Sequence, residues 1–333
     1  MHGQGATSSI ADNRRMNSSP GRAGPPAAAL LLNAFVWGLS WWPLREMQAH
    51  GLHPLWATVL MYALAALAIA GWRPRALVQV CTEPALWILA AASGTTNAAF
   101  NWAVSTGDVV RVVLLFYLMP LWTVLLARVF LHERFSTHTL LRVALALAGA
   151  MIVLKPAGSP WPFPQGLPDW LGLLGGLAFA VNGVALRRLA HRTREEGRAV
   201  AMLLGCVIVA GVTAALLGTQ GRLAPVPPPQ FAWVAIALGT ALAFMTSNLA
   251  YQYGAARLPA NVTSVVMLTE VVFASVSSVL IAGESLTPDK LLGGGLIVAA
   301  ALLAALGPGL WGQRAERRAA PKPARIPAGD RPT

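Results

Sequence analysis

Charge is what this chain has least of. Only 11% of its 333 residues are charged, against roughly 25% in a soluble domain. Acids are scarcer still, with 13 Asp and Glu against 25 Lys and Arg. Such a shortfall excludes an ordinary cytoplasmic enzyme and points to a chain dissolved in lipid. Cysteine is equally sparse: Cys81 and Cys206 stand far apart, which excludes a disulfide framework and zinc-type spacing. No Walker loop, dinucleotide glycine pattern or Gly-x-Ser-x-Gly elbow occurs. His132, Glu133 and His138 miss the zinc-protease spacing. Nothing calls for a cofactor or a metal, and paired acids that would suit an enzyme are missing. What is abundant is apolar: 56% hydrophobic residues with 31 Gly and 12 Trp. That composition also excludes disorder, which needs high charge and few aromatics.

Apolar runs of about 18 or more residues read as transmembrane helices. Ten occur, at 27–44, 54–72, 84–104, 109–131, 138–155, 168–189, 199–218, 231–253, 259–282 and 287–308. Short connections leave no room for a soluble domain. Open sheet edges are forbidden in lipid and no alternating barrel pattern appears, so the expected fold is an all-α membrane bundle. Polar residues 1–26 and basic residues 311–333 fall outside it as disordered tails. The first apolar run leads into Arg45 rather than a small-residue cleavage site, which argues against a signal peptide.

The net charge of +12 is a topology signal rather than a nucleic-acid footprint. If connections alternate sides, twenty Lys and Arg fall on the side of both termini. Only Arg45, Arg111, Lys155, Arg222 and Lys290 fall on the other. The positive-inside rule then puts both termini in the cytoplasm, as an even number of spans requires.

Sliding the chain against itself by 151 residues brings Asn97 onto Asn248, Trp102 onto Tyr253, Glu133 onto Glu284 and Leu140-Leu141 onto Leu291-Leu292. An offset of 142 brings the stretch from Trp37 to Arg45 onto that from Phe179 to Arg187. Two five-helix units follow, 27–156 and 168–308. Five is odd, so the second enters the membrane from the opposite side. Inverted repeats of this kind are a design of secondary transporters, with the substrate near midplane between the halves.

Several stretches carry a resemblance. The first span reads Trp37-Gly38-Leu39-Ser40-Trp41-Trp42-Pro43-Leu44-Arg45. The fourth and fifth read LMPLWTVLLARVFLHERFSTHTLLRVALALAGAMIVLKP, and the ninth and tenth LTEVVFASVSSVLIAGESLTPDKLLGGGLIVAAALLAALGP. The sixth contains LAFAVNGVALRRL. Together these resemble the EamA-type branch of the drug/metabolite transporter superfamily, over roughly residues 27 to 308. The branch's signature is a Glu-Pro pair followed fourteen residues after the Glu by a second Glu. Here the pair is split: the first half keeps Pro120, the second keeps Glu270. Asn182 stands where an aromatic is common. The resemblance implies ten helices in two repeats, alternating access, and export or exchange of a small metabolite, most commonly an amino acid or relative.

Glu270 stands mid-span, where an isolated carboxylate costs about 2.5–3.5 kcal/mol. Thr263, Glu270 and Ser277 share one helix face at seven-residue spacing. Glu270 reads as a proton-coupling group, as a contact for a substrate amine, or as a neutral carboxyl bonded to a neighbouring helix. Arg111 reads as a surface partner of Asp108, three residues before it, or as a clamp for a substrate carboxylate. Polar and aromatic stripes run along three other spans: Asn33, Trp37, Ser40 and Trp41; Ser93, Asn97 and Asn101; and Thr240, Phe244, Ser247 and Tyr251, with Asn248 beside them. Each stripe is either interhelical glue or cavity wall. The candidates for the substrate path are thus Glu270, Trp37, Ser40, Trp41, Asn97, Asn101, Arg111, Tyr117, Asn182, Asn248, Tyr251 and Thr263. Glu133 and Glu284 end two spans and read as caps of the following helices or as gating contacts. Gly172, Gly176 and Gly293 to Gly295 read as close helix packing. Asn261-Val262-Thr263 is a glycosylation sequon at the cytoplasmic end of a span, where it is not modified.

The expectation is a multi-pass inner-membrane exporter of amino acids or related metabolites. Its partners are the bilayer, a small solute and, as coupling ion, a proton, with no nucleic acid; monomer and homodimer are both open. Rival readings are a nucleotide-sugar or phosphate-ester antiporter, an integral-membrane enzyme on lipid-linked substrates, and a small-solute channel.

Overall fold

The structure, a computed structural model, describes residues 24–72, 74–131, 137–155, 163–189, 192–258 and 260–319. Among them there is helix and no strand. The helices are α1 (Gly24–Gly38), α2 (Trp41–Ala49), α3 (Pro54–Trp72), α4 (Pro74–Thr82), α5 (Leu86–Thr106), α6 (Val109–Phe116) and α7 (Met119–Leu131). They continue with α8 (Thr137–Leu154), α9 (Leu167–Leu189), α10 (Glu195–Thr219), α11 (Phe231–Ala255), α12 (Ala260–Met267), α13 (Thr269–Ala282) and α14 (Pro288–Ala319). Among the described residues six helical segments are long and apolar enough to cross a membrane, or seven if the bent pair α4–α5 counts as one. Large apolar side chains face outward along them: Leu280 is 77% exposed and Val129 64%. In water such a surface would aggregate, whereas lipid covers it at no cost.

Three apolar runs are broken rather than continuous. α1 and α2 part at Leu39 and Ser40, where the Ser40 hydroxyl donates to the Trp37 carbonyl at 2.7 Å. α6 and α7 part at Tyr117 and Leu118, just before Pro120, which has no N–H to donate back into the preceding turn. α12 and α13 part at Leu268 without any proline. There the Thr269 hydroxyl takes the Val266 carbonyl at 2.6 Å, a local bond that competes with the helix ladder. Leu268 is the counterpart of Tyr117 at the 151-residue offset, so the two repeats break at the same place.

Two expectations need correction. The connection after α3 is not a plain loop: it forms α4, bent 105° from α5. Pro74 opens this helix, where its missing N–H costs nothing; Ala76 and Val80 turn inward while Arg75 and Val78 stay exposed. The C-terminal tail does not start at 311, because α14 runs on to Ala319. The residues there, with Gln, Ala, Glu and Arg, are good helix formers. Residues 1–23 and 320–333 of the expected tails, and Glu133, lie outside the described residues.

Close backbone crossings hold the bundle together. A Cβ on Gly205 of α10 would overlap the Ala90 carbonyl of α5, and one on Gly94 would overlap the Gly205 carbonyl. Gly149 and Gly293 make the corresponding crossing between α8 and α14. Gly176 rests on the Phe116 carbonyl, which brings α9 to the break in α6–α7. Gly295 faces open space, unlike its neighbours.

His53, half-buried just before α3, accepts the Leu55 N–H on Nδ1 and stands edge-on to Trp102 at 5.1 Å. Burial holds its imidazole below the usual value of 6.5. The folded state therefore favours the neutral ring. Its contribution to stability is complete above the usual value and is lost as pH falls through the lowered one. Acidification from about pH 7 to about pH 5 is expected to lower the melting temperature more in the parent than in His53→Gln. Thermal melts of the purified proteins check this.

Candidate functional site

The broken helices meet at one pair of side chains. Glu270 sits in the first turn of α13, half-buried, directly after the break at Leu268. Short turns carry the backbone through this break, the Leu268 N–H donating to the Val265 carbonyl and the Val271 N–H to the Leu268 carbonyl, each at 3.2 Å. Across from Glu270, Tyr117 occupies the break between α6 and α7, only 3% exposed. Its hydroxyl donates to Glu270 Oε2 at 3.0 Å and lies 3.3 Å from the Met267 carbonyl. Gly38, the last residue of α1, leaves just enough room: a Cβ there would stand 2.9 Å from the Glu270 carbonyl. Each repeat thus contributes its own helix break, one carrying the phenol and the other the carboxyl.

Aromatic rings lead away from this pair in an unbroken chain. Phe116 stands 6.2 Å from Tyr117 and 4.8 Å from Phe100. Phe100 meets Trp37 edge-on at 6.5 Å, and Trp37 stacks on Phe244 at 4.5 Å. Phe100, Phe116, Tyr117 and Phe244 are buried in one core cluster, with Trp37 packed against it. Phe100 and Phe116 carry no signal in the sequence beyond being apolar, and only packing shows their place.

The other candidates divide. The stripe on α1 packs directly against the stripe on α11: Asn33 Nδ2 donates to the Ser247 carbonyl at 2.9 Å and lies 3.1 Å from its hydroxyl. Ser40 is buried against its own turn, and Trp41 Nε1 donates to Ser277 Oγ at 3.0 Å. Asn101 donates to Thr58 at 3.0 Å while its Oδ1 stays buried without a hydrogen-bond partner. Asn182 Oδ1 and Thr263 Oγ1 are also buried without one, as is Trp122 Nε1, which the sequence did not single out. Asn97 takes the Tyr62 hydroxyl at 2.5 Å and donates to the Ser93 carbonyl at 2.9 Å. Its counterpart Asn248 makes the equivalent bond to the Phe244 carbonyl at 3.0 Å but is exposed, as is Tyr251. Asn33→Ala is expected to cost about 1 kcal/mol, read as a melting temperature lower by roughly 2 °C in a thermal melt of the purified protein.

Arg111 stands apart from Glu270. Its guanidinium grips Asp169 with two bonds of 2.8 Å and also takes the carbonyls of Val153 at 2.5 Å and Leu154 at 3.3 Å. The expected surface pair with Asp108 is not made. Asp108 is the N-cap of α6, its Oδ1 accepting the Arg111 backbone N–H at 2.8 Å, and its other oxygen pairs with Lys290. Glu284 likewise does not cap its own following helix. Its carboxylate accepts the Val109 N–H at the start of α6 and pairs with Arg45 at 3.1 Å.

The sequence model of the EamA-like transporter family matches residues 25–155 and again 166–306. No curated protein is detectably similar in sequence. Among solved structures, one described as "Crystal structure of protein" superposes with a TM-score of 0.53 at 19% identity, over 87% of this chain and 98% of that one. At that identity the likeness speaks for the fold. The two family matches cover both halves of the chain and each contains one of the paired helix breaks. The chain belongs to the EamA-like transporter family.

Proposed function

We propose that this protein is a ten-span secondary transporter of the inner membrane, with both termini in the cytoplasm, exporting amino acids or related small metabolites by alternating access. The observation that carries the reading is the Tyr117–Glu270 bond of 3.0 Å, made between two equivalent helix breaks of opposite repeats. A half-helix end at a repeat interface is where transporters of inverted-repeat design hold substrate and coupling ion. Glu270 holds either the substrate amine or a proton, and rocking of one half against the other exchanges its exposure. An anionic cargo such as a nucleotide sugar would need a cation near this pair, and the Arg111 guanidinium is committed to Asp169.

The test is an untargeted comparison of the medium around cells overexpressing the parent or Glu270→Gln. One compound class accumulating outside with the parent alone is the expected result, and it names the cargo. Identical media for every compound, with both proteins present in the membrane, would count against export.

A further inference from the structure

One short segment clasps the opposite repeat at two points. The chain leaves α13 at Gly283, whose φ of 67° lies in the left-handed region and turns the backbone sharply. Glu284 then reaches across to the first repeat. Both its oxygens accept the Val109 N–H, at 3.1 and 3.0 Å, and Arg45 donates to it at 3.1 Å. Arg45 also holds the carbonyls of Val104, at 3.2 Å, and Gly107. Lys290, at the start of α14, pairs with Asp108 and donates to the Ser285 carbonyl at 2.9 Å, tying the segment to itself. An acid at one end of the segment and a base at the other thus meet a base and an acid of the first repeat.

The third ion pair at this end is of another kind. Arg111 and Asp169 join α6 to α9 while capping the end of α8, and Asp169 keeps only 7% of its side chain exposed. Each pair made by the 283–290 segment has one well-hydrated member, Arg45 at 27% beside Glu284 at 12% and Asp108 at 31% beside Lys290 at 14%, whereas neither Arg111, at 18%, nor Asp169 reaches that exposure. Partly hydrated pairs are weak bonds that exchange readily with water, whereas a buried one is costly to open.

We propose that residues 283–290 are a latch. It closes the outer end of the bundle by clasping Arg45 and Asp108, and it lets go when the transporter opens outward, while Arg111–Asp169 stays made as a fixed joint. The latch rests on the transporter reading and its orientation, and gives that reading its outer gate. Weak, reversible pairs suit this task, because the two states of a rocking protein differ little in free energy.

The test needs no substrate. In a chain carrying Cys81→Ser and Cys206→Ala, spin labels at Thr106→Cys and Leu286→Cys report the distance across the latch; both positions are exposed. The parent is expected to give one dominant short distance. Lys290→Met and Glu284→Gln are each expected to raise a longer-distance population at least threefold, and Lys290→Arg to restore the parent distribution. Unchanged distributions in both variants, or Lys290→Arg behaving like Lys290→Met, would overturn the latch. Gel filtration of each variant shows that a new population is not unfolded protein. An opening latch in a protein that moves no compound would sink the transporter reading alone. Saturable transport with an unresponsive segment would sink the latch alone.

Discussion

Glu270→Gln is expected to slow transport at least tenfold while leaving the protein folded and in the membrane. The amide keeps the size of the carboxyl and can still meet the Tyr117 hydroxyl, which now lies 3.0 Å away. It can neither release a proton nor balance an ammonium. If Glu270 carries the coupling proton, the variant also loses the dependence of rate on pH. If it binds a substrate amine, the loss falls on affinity, and higher substrate restores part of the rate. Tyr117→Phe separates the partner from the group itself. A hydrogen bond to a charged group is worth about 1.5–3 kcal/mol, so removing this one is expected to slow transport about tenfold and leave export detectable. Initial rates over a range of pH and substrate concentration check each of these statements. A Glu270→Gln protein with parental rate and parental pH profile would remove Glu270 from the mechanism.

Gly205→Leu is expected to have the largest effect on folding. α5 and α10 cross with backbone against backbone, because Gly205 and Gly94 face one another and the Ala90 carbonyl. A side chain there meets main chain, which cannot rotate out of the way. Overpacking of a well-filled core costs about 1–3 kcal/mol, and with rigid neighbours the cost here should reach or exceed about 3 kcal/mol. Little monodisperse protein should be recovered after extraction. Gly295→Ala is the control: it lies in α14 with nothing within 4 Å of the added Cβ, and should stay within about 0.5 kcal/mol of the parent. Equal recovery of Gly205→Leu and Gly295→Ala would mean that the crossing is looser than the geometry states.

What the sequence disclosed and what it hid follow from the range of each signal. Hydropathy is local, so apolar runs could be read off, and among the described residues six helical segments, or seven with the bent pair, are long and apolar enough to cross a membrane where the sequence suggested ten. Pro120 announces one break by its missing N–H. The break at Leu268 has neither proline nor glycine, and only the Thr269 hydroxyl bond betrays it. The repeat could be read because Asn97, Glu133 and their counterparts keep register, and it anticipates that the two breaks correspond. Partners over long range were out of reach. Asp108 was the nearest acid to Arg111 in sequence, yet its oxygens are taken by a backbone N–H and by Lys290, leaving Arg111 to Asp169, 58 residues on. Asn97 and Asn248 match in sequence and in their local bond, but only Asn97 is covered, by Tyr62. Glu270 and Tyr117 both stood among the candidates for the substrate path, but nothing in the sequence paired them across 153 residues.

Counterflow in proteoliposomes tests the central claim most directly, using the compound that the export comparison names. Vesicles holding the parent and preloaded with unlabelled compound should take up labelled compound faster than empty vesicles do. The uptake should saturate, and Glu270→Gln should suppress it if Glu270 holds the substrate amine, or keep this exchange while losing net proton-linked transport if Glu270 carries the proton. Those results require a single site exposed alternately to the two sides. Uptake that rises linearly with concentration and ignores the compound inside would contradict the account and describe a channel instead.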